Sequence, residues 1–257
     1  MITLLSPAKD LATDIPKGIT PLTTPVLLAA AGPLIVALRK QSTRKLAKLM
    51  DLSDKLAELN HARYQRWDPV HTRTTAKPAV FLYNGEAYRG LGPRTLAPED
   101  LRFGQHHLRI LSGLYGILRP LDLIQDHRLE MGTSLVVGRT KDLYAYWGDR
   151  ITEQLATDLE ESGSEVVVNL ASTEYFRAVR TKRLKAKVIT PVFKDLTPGG
   201  YRTVMIFAKH QRGAMARHIL QHRLLDPESL KHYRGDGYRF APEESTSDQW
   251  MFLRDKR

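Results

Sequence analysis

Residues Leu108–Gly132, LRILSGLYGILRPLDLIQDHRLEMG, constrain this chain more than any other stretch. An apolar run (Leu108, Ile110, Leu111) breaks at Gly113 and Gly116. It is stopped by Pro120 and leaves through the charged segment Asp122 to Glu130. A buried strand delivered to a glycine-rich turn is how α/β proteins bring backbone against a ligand; a tight turn with no ligand has the same signature. The spacing matches neither the GxGxxG dinucleotide fingerprint nor a P-loop, so the stretch marks a candidate site without naming its chemistry.

Around it the chain alternates strand-like and helix-like segments. Ile2–Leu5 reads as a first strand ending in the loop Ser6–Asp10. Thr24-Pro25 resembles an N-cap with proline at the first helical position, opening a helix to about Lys40 in which Pro33 should force a kink or break. Ser42–Met50 and Ser53–Trp67 follow as two short helices whose Leu46, Leu49, Met50, Leu56 and Leu59 form an apolar seam. Val80–Tyr83 reads as a strand, and Asn84-Gly85 signals a hairpin returning through Glu86–Leu91. Pro98–His107 and Asp142–Ser162 are helices and Val166–Leu170 is a strand. Lys187–Phe193 and Thr203–Ala208 read as strands joined through Pro198-Gly199-Gly200, and Arg212–Leu225 as a helix. Gly237–Phe240 and Trp250–Leu253 form a candidate terminal hairpin. The expectation is an α/β (α+β) fold with a mixed sheet: one compact domain over residues 1–257, carrying a helical insert at 24–67.

Charge sharpens the functional reading. The 257 residues hold 39 Lys+Arg against 28 Asp+Glu, a net +11 that suits a polyanionic partner. Cysteine is absent, which excludes disulfides, thiolate metal sites and thiol catalysis. The N-terminus has no basic leader and the longest apolar stretch, Pro25–Leu38, is too short to span a bilayer, so a cytoplasmic monomer with no membrane partner is expected. The charge is also segregated: Arg139–Tyr175 has 3 Lys/Arg and 8 Asp/Glu, whereas Phe176–Arg223 has 12 Lys/Arg and one acid, Asp195. A second basic group lies on the insert. Two such segments flanking a cleft would form a trough for a phosphate backbone. The candidate contacts to double-stranded DNA are Arg44, Lys45, Lys48, Ser53, Lys55 and Arg63 on the insert, with Lys182, Lys209, Arg212 and Arg217 beyond it. Leu49–Ala57 lines up with the helix–hairpin–helix pattern of DNA-repair proteins, in which bare backbone N–H groups grip one phosphate. Leu52, Lys55 and Ala57 fit that pattern, but Asp51 and Ser53 stand where its glycines should be.

A catalytic alternative rests on polar residues at strand exits and turns: Lys9, Arg128, Glu130, Asn169 and Ser172. Each also has a plain local hydrogen-bonding role open to it. No GxSxG nucleophile elbow is present. His218 and His222 have a metal-ligand spacing, but their surroundings are basic and Pro227 biases Asp226 out of helical geometry. No metal and no cofactor is therefore expected.

Taken whole, the chain resembles the bacterial YaaA peroxide-stress protein family. The segments that carry this are SPAKD (Ser6–Asp10), SDKLAELNHAR (Ser53–Arg63), HHLRILSGLYGILRPLDL (His106–Leu123), RLEMG (Arg128–Gly132), KDLYAYWGD (Lys141–Asp149), NLASTEYF (Asn169–Phe176) and KHQRGAMARHI (Lys209–Ile219). The resemblance implies a single-domain cytoplasmic α/β protein of unusual fold that binds DNA through a positively charged cleft including a helix–hairpin–helix. It also implies a role in limiting free iron and Fenton damage under hydrogen peroxide. The competing expectation is an enzyme acting on a nucleobase-like or other small anionic ligand, in a pocket formed by residues 6–9, 112–132 and 169–174.

Overall fold

The computed structural model describes residues 1–16 and 18–255. Its centre is a mixed sheet of eight strands. Five of these are parallel: Ile2–Leu5, Leu108–Ser112, Val166–Leu170, Lys187–Thr197 and Gln249–Arg254. Taken in chain order, they lie across the sheet as second, first, third, fourth, fifth. Ile2–Leu5 and Leu108–Ser112 are buried along their whole length, as expected for parallel strands covered on both faces. Antiparallel pieces finish the sheet: Gly116–Leu118 beside the second strand, Gly200–Arg202 folded back on the fourth, and Arg239–Phe240 beside the fifth.

This strand order places the third strand on the opposite side of the first from the second. A crevice therefore opens at the carboxyl ends of Ile2–Leu5 and Val166–Leu170, where the winding reverses direction. The register Leu5↔Leu170 brings both exits to one level.

Several local expectations are corrected. Residues 86–91 form a helix, Glu86–Leu91, not a returning strand, and Ala79–Leu82 is a single helical turn. Residues 203–208 are likewise no strand: the long helix Met205–His222 begins there. Both helices owe their state to packing against each other, which overrides the Asn-Gly turn signal and the apolar run Val204–Phe207. The helix Leu28–Arg39 runs through Pro33 without a break and begins later than Thr24. The helix read at 142–162 is two, Leu143–Trp147 and Arg150–Glu161, separated at Gly148, whose φ is 55°. The terminal hairpin forms, and its Gln249–Arg254 strand also pairs in parallel with the fourth strand.

The glycines of the 108–132 stretch pack against protein. A Cβ on Gly113 would run into the backbone carbonyl of Leu129, and Gly116, at φ 73°, backs onto Trp147. The indole of Trp147 donates to the Gly113 carbonyl at 2.9 Å. The turn thus fixes the segment 125–132 in place, and that segment, not the glycines, reaches the crevice.

Among the described residues no helix is long and apolar enough to cross a membrane.

Candidate functional site

Two loops meet at the crevice. Ser6–Asp10 follows the first strand and Ala171–Tyr175 follows the third. The Ser6 hydroxyl accepts from the Ser172 amide at 2.8 Å and donates to the Ser172 Oγ at 3.3 Å. Tyr88, on the helix Glu86–Leu91, donates its hydroxyl to the Ser6 carbonyl at 3.1 Å. Asn169 is buried just before the exit. Its side chain accepts from Ala171 N at 3.1 Å and reaches Thr190 Oγ1 at 3.4 Å, so it braces the loop from below.

These loops, the helix Glu86–Leu91 and the long helix Met205–His222 enclose a cleft of about 330 Å³. Lys9, Glu130, Ser172, Lys209 and Arg212 all line it. Residues assigned from sequence to two different functions, a catalytic pocket and a DNA trough, are thereby brought to one place. Lys9 Nζ lies 2.8 Å from Glu130 Oε2, and Arg128 Nη2 reaches Glu130 Oε1 at 3.2 Å, so that carboxylate sits between two cations. Glu174 accepts the Gly132 amide at 2.9 Å. The Lys9–Glu130 pair is largely solvated on the lysine side and contributes about 0–1 kcal/mol.

Arg212 differs from every other cation at the cleft. It is half-buried, and no hydrogen bond or ion pair to its guanidinium occurs among the described residues. Burial pushes its pKa below the ordinary arginine value, with no carboxylate acting in the other direction.

The remaining basic candidates lie elsewhere. Arg44, Lys45 and Lys48 are exposed on the helix Thr43–Met50, whose buried residues Leu46 and Met50 occupy the opposite face. Ser42 caps that helix by accepting from Lys45 N. A turn, Asp51 (φ 50°)–Leu52–Ser53, leads to the helix Asp54–Arg66, where Ser53 and Lys55 are exposed. Arg63 is mostly covered; it meets Asn60 Oδ1 at 3.2 Å and lies 4.0 Å from Asp126. The Tyr64 hydroxyl donates to the Arg128 carbonyl, so the insert is tied directly to the segment carrying Glu130. Lys182 is exposed in the short turn Thr181–Arg183. Arg217 is engaged internally, donating to the carbonyls of Leu91 and Gly92 at 3.0 and 2.9 Å and to Thr95 Oγ1 at 2.9 Å.

Sequence reasoning missed the wall formed by residues 84–89 and Tyr175. The Asn-Gly pair drew those first residues into a hairpin. Tyr88 and Tyr175 are buried tyrosines whose pKa burial pushes well up, and nothing in local sequence distinguishes them from core aromatics. Among the described residues no group of three or more His, Asp and Glu is placed to hold a metal ion.

Comparison with known proteins identifies the family. A family model described as peroxide stress protein YaaA matches residues 1–244. A UPF0246 protein of Ralstonia nicotianae is 48% identical over 254 residues, covering 99% of each chain. A UPF0246 protein of Burkholderia cenocepacia is 47% identical over 256 residues, covering 99% of this chain and 98% of that one. One of Neisseria meningitidis serogroup B is 45% identical over 257 residues, covering 100% and 99%. With a family match over nearly its full length and relatives this similar from end to end, the chain belongs to the peroxide stress protein YaaA family.

Proposed function

We propose that this protein acts in the cytoplasm as a monomer that binds double-stranded DNA, and that this binding helps limit iron-driven damage under hydrogen peroxide. One observation carries the reading. Arg44, Lys45, Lys48 and Lys55 are exposed on adjoining helices and have no carboxylate partner among the described residues. Some surface cations do have one: Arg94 with Asp14, Arg102 with Glu99, Arg180 and Arg183 with Asp149, and Arg239 with Asp255. Among the described residues Arg66, Arg139, Lys182 and Arg202 do not; what sets the insert apart is four such cations within twelve residues. Unpaired cations grouped on one face release counterions from a phosphate backbone and recognise no base sequence. Asp51 and Asp54 at the turn would repel a phosphate there, so the contact falls on the helix face of Arg44, Lys45 and Lys48 rather than on the turn's amides.

The test is fluorescence anisotropy with duplex DNA across a salt series, comparing wild type with Lys45→Ala/Lys48→Ala/Lys55→Ala. Binding should fall linearly on a log–log salt plot. The triple variant should show a shallower slope, by about 0.9 for each phosphate it no longer neutralises. No binding at low salt removes the reading.

A further inference from the structure

We propose that the cleft at the exits of the first and third strands is a receptor for a small phosphate monoester, whose phosphoryl group is held by Arg212 and Lys209. The proposal uses none of the insert cations on which the DNA reading rests.

Position is the first argument. In an open parallel sheet of this strand order, the crevice where the winding reverses is where a ligand can reach loops from both halves of the fold. The cleft lies there, and its volume of about 330 Å³ falls at the small-molecule end of known ligand pockets.

Charge is the second. The carboxylates lining the cleft are mostly occupied. Glu130 is shared by Lys9 and Arg128, Glu86 is paired with Arg89, and Glu174 accepts the Gly132 amide. Asp10 stands exposed. Arg212 and Lys209 are left over: no ion pair involves either among the described residues. They are three residues apart on one helix and so share a face. The lining as a whole balances four cations (Lys9, Arg89, Lys209, Arg212) against four carboxylates (Asp10, Glu86, Glu130, Glu174). Arg212 and Lys209 are the two cations with no partner, and together they match the charge of a phosphate monoester, about −1.5 to −2 at neutral pH, better than that of a single carboxylate. A guanidinium also offers paired donors that fit phosphate oxygens two at a time.

Rigidity is the third. Arg212 is presented by a helix whose next residue, Gly213, is locked against Glu86–Leu91, so the backbone that carries the cation is held at the cleft wall. A half-buried arginine with no partner is unfavourable for the empty protein, and an anionic ligand removes that penalty.

The experiment is thermal unfolding of the full chain, wild type and Arg212→Gln, in rising inorganic phosphate against chloride at equal ionic strength. It is repeated with AMP against adenosine. Phosphate and AMP should raise the melting temperature saturably, and adenosine should not. Arg212→Gln should bind phosphate at least tenfold more weakly while melting no lower than wild type, because it removes a charge that no protein group stabilises. An unchanged phosphate response in Arg212→Gln overturns the proposal, as does a melting temperature several degrees below wild type, which would make the arginine structural. A response to adenosine equal to that for AMP also overturns it. So does an inert AMP together with weakened duplex DNA binding by Arg212→Gln, which would assign the cation to a DNA phosphate.

Discussion

Gly90 and Gly213 face each other where the helix Glu86–Leu91 crosses the long helix Met205–His222. A Cβ on Gly213 would sit 2.8 Å from the amide nitrogen of Leu91 and closer still to the Ala87 carbonyl. A Cβ on Gly90 would sit 2.8 Å from the Ala214 nitrogen and press on the His210 carbonyl. The two backbones touch because neither residue has a side chain, and this contact sets the distance between Arg212 and the cleft's opposite wall. Gly213→Ala should therefore cost about 3 kcal/mol or more, since rigid backbone cannot yield as a side chain does. Gly104→Ala is the control. Its added Cβ would meet only Leu220 and Pro120 side chains at 3.5 Å or beyond, and it should gain about 0.5–1 kcal/mol from reduced chain entropy. Urea unfolding of both variants checks the contrast, and equal stabilities would remove the argument.

Arg217 separates structural from nucleic-acid roles among the basic residues. Its guanidinium gathers the carbonyls at the end of the helix Glu86–Leu91, including that of Gly92, the left-handed cap. Arg217→Ala should lower stability by about 2–3 kcal/mol, the range for hydrogen bonds from a charged donor to groups otherwise left unpaired. The slope of DNA affinity against salt should stay at its wild-type value, unlike that of the Lys45/Lys48/Lys55 variant. A reduced slope would assign Arg217 to phosphate contact.

How much of this is legible in the sequence depends on what each residue's neighbours are. The strands Ile2–Leu5, Leu108–Ser112 and Val166–Leu170 stand out as short apolar runs because parallel central strands are buried on both faces. Lys9, Glu130 and Ser172 are identifiable from their place at strand exits and turns. Lys209 and Arg212 read as anion contacts, yet their shared cleft with Lys9 is not visible. It depends on a helix crossing made by two glycines 123 positions apart, and Gly90 in an exposed-looking segment reads locally as turn or strand. The glycines at 113 and 116 show the converse error. Their spacing signals a close approach, which is real, but what approaches is Leu129 and Trp147.

His127 gives the fold a pH dependence of definite sign. It is buried against Tyr83 and Tyr115, its Nδ1 lies 2.8 Å from the Gln125 carbonyl, and burial pushes its pKa down to about 4. The unfolded chain takes up the proton near the ordinary value of about 6.5, and the folded chain does not until about 4. Stability is therefore full above pH 6.5 and is lost as pH falls from there to about 4, by at most about 3 kcal/mol from this residue. Burial lowers His71, His107 and His218 as well, so their effects have the same sign. Denaturation at stepped pH should show the loss, and the His127 ring should remain neutral by NMR at pH 5. A ring that titrates at 6 or above would refute the assignment.

Glu130 offers a test of the cleft's charge balance that leaves the proposed phosphate ligands untouched. Its carboxylate neutralises Lys9 and Arg128, at 2.8 and 3.2 Å. Glu130→Gln keeps the side-chain shape but frees both cations, raising the cleft's net charge by one. It breaks an exposed pair with Lys9 and a mostly covered one with Arg128, so folding should lose about 1–3 kcal/mol, nearly all of it from the Arg128 side. Phosphate affinity should rise about three- to tenfold at low salt, the size expected for one added unit charge nearby in a partly solvated site. The gain should shrink in 0.5 M sodium chloride, where the Debye length is only a few ångströms. Calorimetric titration with inorganic phosphate reads this directly. A weaker affinity in Glu130→Gln would mean that Glu130 holds Lys9 and Arg128 in the geometry the ligand needs, and the cleft would then recognise its ligand by a fixed array rather than by surplus charge.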